Sequence, residues 1–448
     1  NYGDDGVRNG AVIQLQVHAV EMVYVPQGSF YLGNTGSYDY YSFTDGSWTT
    51  GAGTPYLVNT EGAIGIDNAA GKLWATTTGA TTPPSQLTVI GNNTTDAEAT
   101  LDAAFPKGYN AFYCMKYELT QGQYRDFLNT LTYNQQTKMV MFSGCLSTGS
   151  SIVGRLILSN GNGTTLVGYN SPYFKNGLAV RILGNANTLT PAVIGCDFSG
   201  TTSNRPTPNV FNQANDGMWL ACNVLSWPMS AAYLDWAGLR PMTEMELEKA
   251  ARGSEAPVAN EGAMGITISG ASTNYTTGYT PPGTATEASG TTAQYHVCGV
   301  STSSTDTKAG VTRVGSLAKS NSSRQSSGAS YWGIMELSGN VLENTVSVAT
   351  GRSFTGTHGD GTLSSNGYAN AATWPGLSSG EVTGTTGVMP RGGGILHDYT
   401  YIHDMMKNPI SSRYWVTFSW PPTFTGIPSV TSNLQWVNLG NRGVRTAP

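Results

Sequence analysis

Three long stretches poor in charge, 34–107, 133–216 and 254–331, separate short, strongly patterned patches at 11–33, 108–132, 217–253, 332–350, 388–416 and 437–448. The long stretches are rich in Gly, Thr, Ser and Asn, yet they keep hydrophobic alternation, as at Leu156, Leu158, Leu166 and Val167, and again at Val180, Ile182 and Leu183. Alternation of period two is the signature of strands that bury one face. The long stretches are therefore expected to be ordered, β-rich insertions rather than linkers. No period of about 20–50 residues repeats, which argues against a solenoid. Aromatic residues at 10% argue against disorder, because Trp and Tyr supply large buried areas.

Charge narrows the function classes. Only 11% of the 448 residues are charged, the net charge is -5, and no Lys/Arg run exceeds two residues. A nucleic-acid binder needs a dense basic footprint, so that role is excluded. No stretch approaches the ~18 consecutive apolar residues of a membrane-spanning helix. Residues 11–25 alternate apolar and polar and are expected to form a strand rather than a signal peptide. Low charge, abundant Thr, Ser, Gly and Asn and few Lys point to an extracellular surface, while the Asn-x-Ser/Thr sequons at Asn92, Asn93, Asn162, Asn274 and Asn321 fit loops but occur by chance at this composition. The five cysteines, Cys114, Cys145, Cys196, Cys222 and Cys298, form no C-x-x-C pair, which removes the usual zinc-ribbon and thioredoxin-like spacings. An odd count allows at most two internal disulfides.

Helices are few. Thr120-Gln-Gly-Gln123 and Thr243-Glu-Met-Glu246 are capping boxes, in which a Thr hydroxyl and a Gln or Glu side chain satisfy first-turn amides. Tyr124, Phe127 and Leu131 follow the first box at helical spacing. Met245, Leu247 and Ala250 form the expected inner side of the second helix, 243–252. A third helix is expected over 229–236, with Ala232, Tyr233 and Trp236 inward.

These patches, in this order, resemble the formylglycine-generating enzyme (sulfatase-modifying factor) family, whose domain has a C-type-lectin-like fold. The resemblance rests on six patches: Val25–Gly33; Tyr117–Leu128; Ser226–Gly253, the most specific run; Tyr331–Glu343, the hallmark loop; Arg391–Gly394; and Arg413 with Gly443–Arg445. It implies one α+β domain over 1–448 with little regular secondary structure, interrupted by the three insertions. Trp227, Tyr233 and Trp236 are then expected in the core. Arg240, Glu244 and Arg252 are expected to pair internally, since a buried charge needs a partner. Gly339, Gly392 and Gly393 are expected to hold conformations closed to other residues.

The family's oxidase chemistry uses two cysteines shortly after the Arg-Gly-Gly motif, which bind copper(I) as thiolates. Here those positions carry His397 and Ile402, and no cysteine follows Cys298. The resemblance therefore implies a pseudoenzyme without copper. Iron-dependent sulfoxide synthases share the domain but draw histidines from a helical partner domain, which this sequence is not expected to supply. His397, Asp398 and His403 offer metal-ligand types, but nothing in the sequence orients them together. In the family the hallmark loop wraps calcium, and carried over the ligands are the side chains of Glu336 and Glu343 and the carbonyls of Gly339 and Val341. Hard oxygen donors of this kind suit calcium. Leu342 and Asn344 stand where the family carries Trp.

Three functions remain open, of which the sequence favours the first, with the second as its alternative. One is a secreted structural subunit of a filament, sheath or surface layer, joined through the insertions by self-association. The second is an adhesive module for protein or glycan partners, with Trp415, Phe418, Trp420 and Phe424 as contacts among the aromatics of 414–436. The third is an enzyme with replaced chemistry. A bacterial cell surface is the expected setting.

Overall fold

The computed structural model describes residues 10, 12, 17–36, 41–48, 51–76, 99–141, 143–147, 156–158, 175–198, 210–267, 283–287, 311–394, 409–413 and 439–448. In chain order the strands are β1 (Met22–Val25), β2 (Phe30–Leu32), β3 (Phe43–Asp45), β4 (Tyr56–Val58), β5 (Ile64–Ile66), β6 (Leu73–Ala75), β7 (Ala99–Leu101) and β8 (Phe112–Met115). They continue as β9 (Leu178–Ile182), β10 (Val193–Cys196), β11 (Arg240–Pro241), β12 (Leu342–Val346), β13 (Leu377–Ser378), β14 (Glu381–Val382), β15 (Val388–Arg391), β16 (Leu439–Gly440) and β17 (Gly443–Thr446). The helices are α1 (Gln121–Leu128), α2 (Tyr133–Gln136), α3 (Trp227–Trp236), α4 (Glu244–Arg252) and α5 (Arg324–Ser327). Mixed short strands and short helices make this an α+β fold. No described helix is long and apolar enough to cross a membrane.

The helix starts follow from the sequence. Thr120 and Thr243 each accept a bond from the backbone of the third helical residue, and Gln123 and Glu246 reach back to the cap amides. Ser226 caps α3, with Pro228 in its first turn, where a missing N–H costs nothing. α4 ends at Gly253, whose φ of 70° puts a would-be Cβ 2.3 Å from the Tyr331 ring, so only glycine fits. Phe127 of α1 meets Tyr233 and Trp236 of α3 at ring centroids 5.8 and 5.4 Å apart. Trp227 and Tyr233 are buried as expected, while Trp236 is half-buried.

Two sheets position everything else. A four-stranded sheet in the order β1-β8-β17-β11 places the C-terminal strand between β8 and β11. A three-stranded sheet, β15-β12-β16, pairs Glu343 with Arg391 and Val346 with Val388 along the antiparallel β12–β15 ladder. The insertions contribute β3-β6-β5-β7 and the β9–β10 pair. Their Phe43, Ile64, Leu73, Leu101, Leu178 and Ile194 join the same buried cluster as Phe127, Trp227 and Tyr233.

Two strand expectations are corrected. Among the described residues of 11–25 the strand covers Met22–Val25, because pairing with β8 begins at Met22, and Val12 and Val17 are exposed; residues 11 and 13–16 lie outside the described residues. In β9, Val180 is buried but Ile182, two residues on, is exposed; a register shift at Val193/Ile194 of β10 resets which face the residues present.

Candidate functional site

The hallmark loop is built on unusual backbone. Glu336, Gly339 and Asn340 adopt φ of 55°, 106° and 60°, which turns the chain tightly around a buried acidic cluster. Glu118, just after β8, supports the loop: its Oε1 accepts from the Val341 amide at 3.0 Å and its Oε2 from Asn340 Nδ2 at 2.5 Å. Asn340 Oδ1 in turn accepts from the Thr312 amide at 2.9 Å. Glu336 Oε1 accepts from the Gly315 amide at 2.7 Å. Glu343 Oε1 accepts from Arg442 Nε at 2.7 Å, and Arg442 spends its other donors on the carbonyls of Met115, Lys116 and Met335. The Arg442 guanidinium therefore faces three buried carboxyl groups, with Arg313 as a second positive charge near Glu336.

Electrostatics follow. Burial, reinforced by the charges of Glu336 and Glu343, pushes Glu118 well above the usual carboxylate range. Burial pushes Glu336 up to about 7 against the pull of Arg442, and burial also raises Glu343 above its ordinary value. Glu336 Oε2 and Glu343 Oε2 are buried without a hydrogen-bond partner in the described structure. Two orphaned carboxylate oxygens on a loop with more buried acid than base are hard donors of the kind calcium takes. Among the described residues no group of three or more His, Cys, Asp or Glu side chains is arranged to hold a metal. A calcium here would have to complete its shell with backbone oxygens, such as those of Gly339 and Val341. Sequence reasoning named Glu336 and Glu343 but missed Glu118 and Arg442; the signal was a lone charge beside the apolar strand patterns of β8 and β17.

A second cluster lies along α4, where Glu244, Glu248 and Arg252 recur every four residues on one helix face. Glu244 Oε1 accepts from Arg391 Nη1 at 2.9 Å and from Arg413 Nε at 2.8 Å. Glu248 Oε1 accepts from Arg391 Nη2 at 2.9 Å, and Arg391 Nη2 also donates to the Ile410 carbonyl at 2.5 Å. Arg252 pairs with Glu261 and donates to the Tyr31 and Gly33 carbonyls and to Ser411 Oγ. The Arg413 guanidinium lies 4.4 Å from the Phe43 ring centroid, a cation–π contact. Burial pushes Glu244 upward, but Arg413 and Arg391 outweigh it and hold the carboxyl below its ordinary value. Arg240, the third residue expected to pair, is bidentate with Glu246 at 2.9 and 2.6 Å, a partner the sequence reading did not name.

This frame holds Arg391 of β15 and Arg413 of the short run 409–413 against one helix face. His397, Asp398, Ile402 and His403 lie outside the described residues, as do Trp415, Phe418, Trp420 and Phe424. Gly339, Gly392 and Gly393 all take positive φ, as expected.

The family profile of the sulfatase-modifying factor enzyme 1-like domain matches residues 76–414. The chain therefore belongs to that family. A search of curated proteins found no match.

Proposed function

We propose that this protein is a secreted, non-catalytic member of the family that captures a protein or glycan partner at a bacterial cell surface. The supporting observation is the buried frame on α4: Arg391 and Arg413, both without solvent exposure, fasten the chain on either side of 395–408 and at the root of 414–438. Binding residues are commonly positioned by a rigid scaffold. The second of these segments has the composition of a contact surface, with Trp415, Phe418, Trp420 and Phe424 within ten residues. His397 and Ile402, standing at the family's two cysteine positions, cannot supply thiolates. In this reading calcium at Glu336 and Glu343 serves to stiffen the hallmark loop. Burial holds the thiols of Cys114 and Cys196 up to about 12, where thiolate is scarce, so they are poor nucleophiles.

The test is capture of the full chain on arrays of glycans and of purified surface proteins. Trp415→Ala combined with Trp420→Ala lowers capture at least about tenfold with unchanged thermal unfolding. Unchanged capture would remove that segment from the contact. Formation of formylglycine in a cysteine peptide supplied with copper(I) and oxygen would overturn the non-catalytic reading.

A second reading, a structural subunit, is favoured by one observation. Leu57, Ile182, Leu189, Val210 and Val258, all large, apolar and exposed, lie in the three insertions. Filaments or sheets seen by negative-stain electron microscopy, and lost when these residues are made polar, would establish it.

A further inference from the structure

At the opposite end of the β12–β15 ladder from Arg391, a cavity of about 440 Å³ opens beside Val346 and Val388. Its volume falls within the ~300–1,000 Å³ range of small-ligand sites. Among the described residues, no charged side chain lines it. Instead it presents the hydroxyl residues Thr350, Ser353, Thr373, Ser378 and Thr386 around Pro375 and the half-exposed Leu377. Among the described residues, the hydroxyls of Thr350, Ser353, Ser378 and Thr386 have no hydrogen-bond partner, so each can both donate and accept toward a ligand.

The walls are held fixed. Trp374 Nε1 donates to the Thr357 carbonyl at 2.8 Å, and Trp227 Nε1 donates to the Pro375 carbonyl at 2.9 Å. Thr373 sits at φ 64°, a strained conformation for a β-branched residue. Its hydroxyl accepts from the Thr355 amide at 3.1 Å and lies 2.9 Å from the Thr355 hydroxyl. At Gly376 a Cβ would stand 2.1 Å from the Gly384 carbonyl oxygen, so the two walls approach backbone to backbone. Strain maintained beside a preformed cavity is a mark of function rather than of stability.

From this lining we infer a binding site for a neutral, polyhydroxylated ligand, one or two sugar rings in size, distinct from the C-terminal aromatic segment. An uncharged wall gives no favourable partner to phosphate, carboxylate or ammonium groups. Uncommitted hydroxyls match alternating sugar hydroxyls, and Leu377 and Pro375 offer an apolar edge to the C–H face of a ring.

The experiment is saturation-transfer NMR of the full chain with glucose, galactose, mannose and N-acetylglucosamine, with glucuronate and glucosamine as charged controls. At least one neutral sugar gives transfer in the millimolar range, the charged controls give less, and Ser353→Trp or Thr386→Trp lowers affinity at least about tenfold. Both positions are exposed, so either variant filling the mouth is expected to unfold at the wild-type temperature, and the one that does so supplies the comparison. Absence of transfer from every neutral sugar overturns the site, as does transfer that persists in the filled variant. Transfer abolished only by Trp415→Ala with Trp420→Ala would place the sugar on the aromatic segment and likewise overturn it.

Discussion

Glu244 holds two guanidiniums on one carboxylate, with no exposed atom to let water share the load. Removing one partner of a buried ion pair leaves an uncompensated charge and costs about 3–5 kcal/mol. Glu244→Gln is therefore expected to destabilise by about that much, measured by chemical denaturation. A loss below about 1 kcal/mol would mean that water or another group takes up Arg391 and Arg413. The same residue gives a pH signature. Its folded carboxyl lies below the ordinary 4.5 of the unfolded chain, so its contribution is present above that pH. It is lost as pH falls below about 4.5 toward the folded value. Wild type should lose stability on acidification more steeply than Glu244→Gln, and parallel curves would contradict the assignment.

At the scale of elements, α4 carries more of the architecture than its length suggests. Its start rests on Thr243, whose hydroxyl accepts from the Glu246 amide at 3.1 Å and donates to the Pro106 carbonyl at 2.9 Å. Thr243→Ala is expected to cost about 1–2 kcal/mol and Thr243→Ser to recover most of it, read by the same denaturation. Equal losses in both variants would assign the effect to methyl packing instead. This helix was legible in the sequence because its capping box and charge pattern are local. Its partners were not: Arg391 and Arg413 reach Glu244 across 147 and 169 residues, and no spacing rule connects them. The same limit hid Glu118 from the calcium-loop reading. It also left 17–21 outside β1 despite the alternation, since a strand exists only where a partner strand accepts its bonds. The Arg391-Gly-Gly motif was visible, but that it forms the root of a shared frame became clear only from the buried pairs.

For the whole molecule, two features separate scaffold from contact. The hallmark loop keeps two orphaned carboxylate oxygens beside β16 and β17, and the α4 frame keeps the roots of 395–408 and 414–438 fixed. If calcium occupies the loop, it stabilises the fold by mass action, about 2.7 kcal/mol at a hundredfold excess over its dissociation constant. Thermal unfolding with calcium against chelator should show that increment in wild type, and Glu343→Gln should abolish it. An increment that survives Glu343→Gln would move the ion elsewhere.

Hydrogen-exchange mass spectrometry of wild type and Glu244→Gln tests the frame itself. In wild type, 388–394, 409–413, 439–446 and α4 are expected among the slowest-exchanging segments. In Glu244→Gln, 388–394, 409–413 and α4 are expected to lose protection together while β9–β10 stays unchanged. Fast exchange of 409–413 in wild type, or a loss confined to α4, would contradict a frame that fastens these segments as one unit.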